Sequence, residues 1–99
     1  MPNVLLTYDI KQSTSTIHKE LKDHLIKTYK YSEYIQGGNG KWYKLPNTTL
    51  RKNNITQGDA AKEFKDGCSA VGATYEKYIA AEYSGATFNS DVTNDNVPN

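Results

Sequence analysis

Asn3-Val4-Leu5-Leu6-Thr7-Tyr8-Asp9 decides the reading of this chain. Val4, Leu6 and Tyr8 alternate with Leu5, Thr7 and Asp9, and both sets contain apolar residues. That pattern predicts a central strand covered on both faces, with Asp9 at its C-terminal end.

The segments that follow settle what the strand belongs to. Lys11 to Ser15 is a polar loop, and the Ser/Thr cluster at 13–16 supplies candidate N-caps. Ile17, Leu21, Leu25 and Thr28, with His24 beside them, mark one helical stripe that runs to about Thr28. Lys19–Asp23 and Asp23–Lys27 are spaced for ion pairs on the wet side of that helix. Tyr31 to Lys44 is aromatic strand sequence interrupted by Gly37-Gly38-Asn39-Gly40, in which Asn-Gly is a tight-turn signal. Pro46 breaks any strand in turn, and Thr48-Thr49-Leu50-Arg51 resumes one. The hairpin turns either at the glycines or at Pro46. Thr56-Gln57-Gly58-Asp59 then reads as a capping box with Asp in the place of Glu. Ala60, Ala61, Phe64, Cys68 and Val71 follow at helical spacing, and Gly72 stands where a terminating glycine belongs. Tyr75 to Tyr83 is the last strand.

The order β-α-β-β-α-β predicts an α+β ferredoxin-like sandwich, one four-stranded antiparallel sheet with two helices on one face. Ninety-nine residues make a single domain, assigned here to 1–88, with 89–99 read as a flexible polar tail. A chain of this size buries roughly 60–65% of its unfolded surface, so the core is thin. Mean hydropathy is −0.77 and no apolar run approaches the length of a membrane span. The start Met-Pro-Asn-Val has no basic segment followed by an apolar one, so no signal peptide is expected. With one cysteine, Cys68, an internal disulfide is excluded, and a cytoplasmic location is expected.

Net charge is +1, but the charge is uneven. Residues 11–52 carry nine Lys/Arg against three acids, and residues 53–99 carry three Lys against seven acids. Such asymmetry can mark a face for nucleic acid.

Two places carry candidate chemistry. Asp9 at the mouth of a central strand can hold a hard cation such as Mg²⁺ or Mn²⁺, with Tyr8 beside it. One carboxylate is a poor site and two related by a dimer axis a better one; the plainer reading is a strand-end Asp that forms a local turn. Lys41, Trp42, Tyr43, Lys44, Arg51 and Lys52 form the second candidate, with no acid between Glu33 and Asp59. Cations neutralise phosphates while flat rings stack on bases, which suits single-stranded DNA or RNA. The alternative makes Trp42 and Tyr43 core or interface residues and the cations a solvated rim. His18 and His24, six apart, do not share a helix face and make no metal pair. Cys68 lies on the apolar stripe with Phe64 and Val71 and reads as core. The glycine run at 37–40 lacks the phosphate-loop pattern.

Val4-Leu5-Leu6-Thr7-Tyr8-Asp9-Ile10 resembles the first-strand motif of the CRISPR-associated adaptation endoribonuclease family, small ferredoxin-like proteins. The order of elements agrees over residues 3–84, with Ala80-Ala81-Glu82-Tyr83 at the place of the fourth strand. Trp42 to Leu50 looks more like the stand-alone relatives found outside CRISPR loci. The resemblance implies a homodimer with paired Asp9 carboxylates near the twofold axis. It also implies either metal-dependent nuclease action or a DNA-binding scaffold role. Two functions are therefore expected as alternatives. One is a nucleic-acid-binding homodimer, in its enzymatic form a metal-dependent phosphodiesterase. The other is a non-enzymatic dimer working through protein contacts, as a toxin–antitoxin, phage or regulatory component.

Overall fold

The computed structural model describes residues 2–37, 40–84 and 93–94. Six strands and two helices occur in the order β1 (Asn3–Ile10), α1 (Ile17–Tyr29), β2 (Tyr34–Gln36), β3 (Trp42–Lys44), β4 (Thr49–Lys52), α2 (Gln57–Val71), β5 (Tyr75–Tyr83) and β6 (Thr93–Asn94). The chain is thus an α+β protein with antiparallel sheets and two helices.

β1 is central, as its sequence predicts. It lies between β4 and β5, antiparallel to both. The register places Leu5 opposite Arg51 and Ala81, Thr7 opposite Thr49 and Ile79, and Asp9 opposite Lys77. Val4, Leu6, Tyr8 and Ile10 are buried beneath the helices. Leu5 and Thr7 are only half-buried and Asp9 is exposed, so among the described residues the second face of this strand stays open. The expectation of two covered faces is corrected accordingly.

α2 is capped at both ends as its sequence suggests, whereas α1 lacks the side-chain N-cap expected from its Ser/Thr cluster. Thr56 Oγ1 accepts a hydrogen bond from Asp59 N at 3.2 Å, which closes the N-terminus of α2. Gly72 adopts φ 75°, and Ala73 N–H returns to the Cys68 carbonyl at 2.8 Å. α1 ends in the same way without a glycine: Lys30 takes φ 64° and Tyr31 N–H reaches the Leu25 carbonyl. At its start Thr16 makes no side-chain cap. Ile17, Leu21 and Leu25 are buried, whereas Thr28 is exposed and turns its hydroxyl to His24.

Phe64 is fully buried at the centre of the main core, its ring centroid 5.1 Å from Tyr8, 5.2 Å from Tyr78 and 5.6 Å from Tyr75. The sequence-based stripe omits Gly67. This buried residue faces α1, and a Cβ there would stand 3.0 Å from Leu25 Cδ2. The missing side chain is what lets the two helices approach.

The expected single four-stranded sheet does not form. β4-β1-β5 make one three-stranded sheet and β2-β3-β6 another. One residue pair joins them: Ser32 and Arg51 exchange two backbone hydrogen bonds of 2.9 Å. The split has a local cause. β4 is only four residues long and begins at Thr49, straight after a turn in which Thr49 N–H bonds the Pro46 carbonyl. Beyond Ser32, β2 runs past the start of β4 and pairs with β3 instead, Ile35 opposite Tyr43. Hence both turn signals are used. The β2–β3 connection closes with Gly37 N–H on the Lys41 carbonyl, and Pro46 turns the chain into β4. Gly38 and Asn39 lie outside the described residues, as does the 89–99 tail apart from Thr93–Asn94, whose backbone pairs with β3.

Candidate nucleic-acid interface

The strand alternation that buries Tyr8 exposes Asp9, so the two residues point to opposite faces of the sheet. Tyr8 is a core residue, 4% exposed and stacked on Phe64. Burial, helped by neighbouring Cys68, pushes its phenol up to about 12 and keeps it protonated. A proton-transfer role beside Asp9 does not fit that placement. Cys68 is likewise buried, with its thiol pushed up to about 11.

Asp9 makes no local turn of its own. Its carboxylate faces Lys77 Nζ across the ladder at 3.6 Å, both side chains largely exposed. A shallow depression of about 250 Å³ lies beside it, lined by Thr7, Tyr8, Asp9, Lys77, Tyr78 and Ile79. Asp9 is the only carboxylate of that lining. Among the described residues no group of three or more His, Cys, Asp or Glu side chains could hold a metal ion. One carboxylate already facing an ammonium group is not a donor set for Mg²⁺ or Mn²⁺ within a single chain.

The six hairpin residues separate into two sets. Lys52 belongs to the helix side. Its Nζ bonds both carboxylate oxygens of Glu63, at 3.0 and 3.2 Å, and lies 5.3 Å from the ring centre of Tyr31. The buried Tyr31 hydroxyl lies beneath it, and burial together with the nearby Glu63 carboxylate holds its phenol above the usual range. Arg51 points the opposite way, as its neighbour in a strand must. Its Nε donates to the Tyr34 carbonyl, and its guanidinium lies 5.5 Å from the ring centre of Trp42. Among the described residues no carboxylate pairs with Arg51. Lys44 shares a β3 face with Trp42 and meets Glu33 at 3.5 Å, a carboxylate also shared with Lys22. The Lys44–Glu33 pair is partly exposed, and a surface pair is worth no more than about 1 kcal/mol, so it yields readily to a phosphate. Tyr43 lies on the other β3 face, opposite buried Ile35 in the register. Lys41 is exposed just before β3.

Sequence reasoning missed Tyr83 and Lys77. Lys77, Ile79, Ala81 and Tyr83 alternate out of β5 onto the open face, beside Asp9, Thr7, Leu5 and Asn3. Tyr83 lies near enough to Arg51 for the two to influence each other's ionisation. Burial disfavours the charged form of each, and each offsets that for the other. The alternation of β5 is visible in the chain, but only the register shows which residues of β1 and β4 it joins.

Comparison with protein-family models, with curated proteins and with solved structures returns no match.

Proposed function

We propose that this chain is a nucleic-acid-binding protein of ferredoxin-like architecture that acts as a homodimer and binds rather than cuts. If the Ser32–Arg51 bridge is counted as the fourth strand's contact, the order β5-β1-β4-β2 follows the ferredoxin-like scheme, with β3 and β6 as additions. The observation that carries the functional reading is Arg51. Its guanidinium lies 5.5 Å from the centre of the Trp42 ring, with no described carboxylate to neutralise it. An arginine placed over an aromatic ring suits phosphate and base recognition together. Lys44 and Lys41 add charge on the same hairpin.

A gel shift with DNA and with RNA, with and without Mg²⁺ or Mn²⁺, tests the reading. Binding should not need the metal. Phosphate contacts from Lys41, Lys44 and Arg51 predict a salt slope of about −2 on a single strand. Lys52→Gln should leave that slope unchanged, because Lys52 is turned to Glu63 on the other face. Absence of any shift at low salt removes the proposal. Hydrolysis, if it occurs, requires a second Asp9 brought by a twofold partner together with the cation.

The non-enzymatic protein-contact reading rests on a different observation. β5 is nine residues long, lies at the edge of its sheet, and carries Ile79 at 64% exposure. Among the described residues that edge is unpaired, and a long unpaired edge with an exposed aliphatic residue invites pairing with another chain.

A further inference from the structure

The hairpin cations are not the whole of the proposed interface, because the residues around Arg51 form a row across the sheet. Trp42 lies against Arg51, Arg51 is opposite Leu5 in the register, and Tyr83 stands opposite Asn3 on the next strand. Level with Arg51 across Leu5 stands Ala81, and Tyr83 is two residues farther along; with strands about 4.8 Å apart and about 3.4 Å per residue, the Arg51 and Tyr83 backbones are separated diagonally by roughly 12 Å. With the 5.5 Å Arg51–Trp42 step added, the diagonal row of planar groups extends over at most roughly 17 Å. Leu5 and Asn3 of β1 lie between Arg51 and Tyr83, and Ala81 flanks Tyr83 on the same strand. Nothing bulky and no acid of the described residues interrupts it; the nearest open-face carboxylate, Asp9, stands two alternations farther along β1 and faces Lys77.

Resting on the nucleic-acid reading above, we infer that the open face of the β4-β1-β5 sheet is a platform for an unpaired strand. Two or three bases stack on Trp42 and Tyr83, with the Arg51 guanidinium between them and the phosphates toward Lys44. The geometry selects single strands for a physical reason. Rings and a guanidinium presented on a sheet offer surfaces to base faces, and a duplex keeps its base faces stacked inside. A groove-reading protein needs an element that projects into a groove, whereas this face is a sheet surface. An arginine that no carboxylate of the described residues pairs with also favours a polyanion over a neutral apolar partner, which would have to desolvate that charge without compensating it.

Trp42 is the only tryptophan, so its emission reports directly on the platform. The full chain is titrated with a 15-nucleotide single-stranded DNA, the same sequence as RNA, and the corresponding duplex, at fixed salt. Single strands should quench Trp42 and bind at least tenfold more tightly than the duplex. Tyr83→Ala should weaken single-strand binding by roughly tenfold or more while leaving the salt slope unchanged. Tyr83→Phe, which keeps the ring, should retain the affinity. Ala81→Glu places a carboxylate beside Tyr83, level with Arg51, at an exposed position, and should weaken binding without touching the core. That variant keeps the test open if Tyr83→Ala does not fold. Equal affinity for duplex and single strand, or unchanged binding by Ala81→Glu, overturns the platform and leaves the nucleic-acid reading standing. If no nucleic acid binds at about 50 mM salt, the broader reading falls, and the platform with it.

Discussion

Gly67→Ala and Gly58→Ala put the same methyl group into the same helix and should move stability in opposite directions. In a helix interior, alanine is favoured over glycine by about 1 kcal/mol, because glycine loses more backbone freedom on folding. At Gly58, in the first turn of α2, an added Cβ meets nothing within 4 Å. The gain is realised there, reduced by the position near the helix end to about 0.5 kcal/mol. At Gly67 the Cβ would stand 3.0 Å from Leu25 Cδ2, 3.6 Å from His24 Cδ2 and 3.7 Å from Leu21 Cδ1. Leu21 and Leu25 are both fully buried, so neither can swing into solvent to make room. Relief has to come from separating α1 and α2 by a few tenths of an ångström. Overpacking of this kind costs about 1–3 kcal/mol, and the propensity gain offsets up to about 1 of it. A net loss near 1 kcal/mol is expected.

Urea unfolding followed by far-ultraviolet circular dichroism measures both variants. The predicted gap between them is about 1.5 kcal/mol, or several degrees in Tm, since 1 kcal/mol moves a domain of this size by about 4–8 °C. If Gly67→Ala proves as stable as Gly58→Ala, the helices do not meet at Gly67 and the packing described for α1 and α2 is wrong.

Phe64→Ala should cost about 3–5 kcal/mol, because three tyrosine rings would then border a cavity; a loss below about 1 kcal/mol in the same assay would mean α2 is rotated. Stability should also fall in alkali. Burial raises the folded pKa of Cys68 from 9.0 to about 11 and of Tyr8 from 10.0 to about 12, so the stabilisation is intact below about pH 9 and lost as pH climbs through 12. Tyr8→Phe should flatten the upper part of that pH–stability curve, and an unchanged curve would place Tyr8 outside the core. Asp9→Asn should change stability by less than about 1 kcal/mol, since its pair with Lys77 is exposed; nuclease activity surviving in that variant, with contaminants excluded, would eliminate the paired-aspartate route. Light scattering at micromolar concentration should return about twice the 11.1 kDa chain mass, and a clean monomer would remove the homodimer.

Elements defined by local chemistry were legible in the chain. Thr56 and Asp59 announce the start of α2, Gly72 its end, and the spacing of Ile17, Leu21 and Leu25 the buried side of α1. These depend on contacts within one helical turn, which spacing alone encodes. Gly67 was not legible, because a glycine inside a helical pattern reads as a weakness until the neighbouring helix is in place. The division into two sheets was equally hidden. Strand signals at 31–36 and 49–52 are both present, but nothing local states that β4 starts too late for β2 to follow it beyond Ser32.

That late start also explains why the site was only half visible. Arg51 and Lys52 are neighbours in the chain and look like one basic patch, yet a strand sends them to opposite faces. Lys52 is spent on Glu63 and Tyr31 among the helices. Arg51 occupies the junction of the sheets: its backbone holds Ser32, its Nε holds the Tyr34 carbonyl, and its guanidinium covers Trp42. Had β2 continued along β4, the Tyr34 carbonyl would face the ladder rather than the Arg51 side chain, and β3 would not carry Trp42 to that place. The departure from a single four-stranded sheet and the stacking of Trp42 on Arg51 therefore have the same origin, the turn at Pro46 that shortens β4. It follows that Arg51 is a poor residue with which to probe binding, because replacing it also removes the Nε bond to the Tyr34 carbonyl that helps hold the two sheets together. Tyr83 and Ala81, which reach the same face from a strand on the far side of β1, separate the binding question from the folding one.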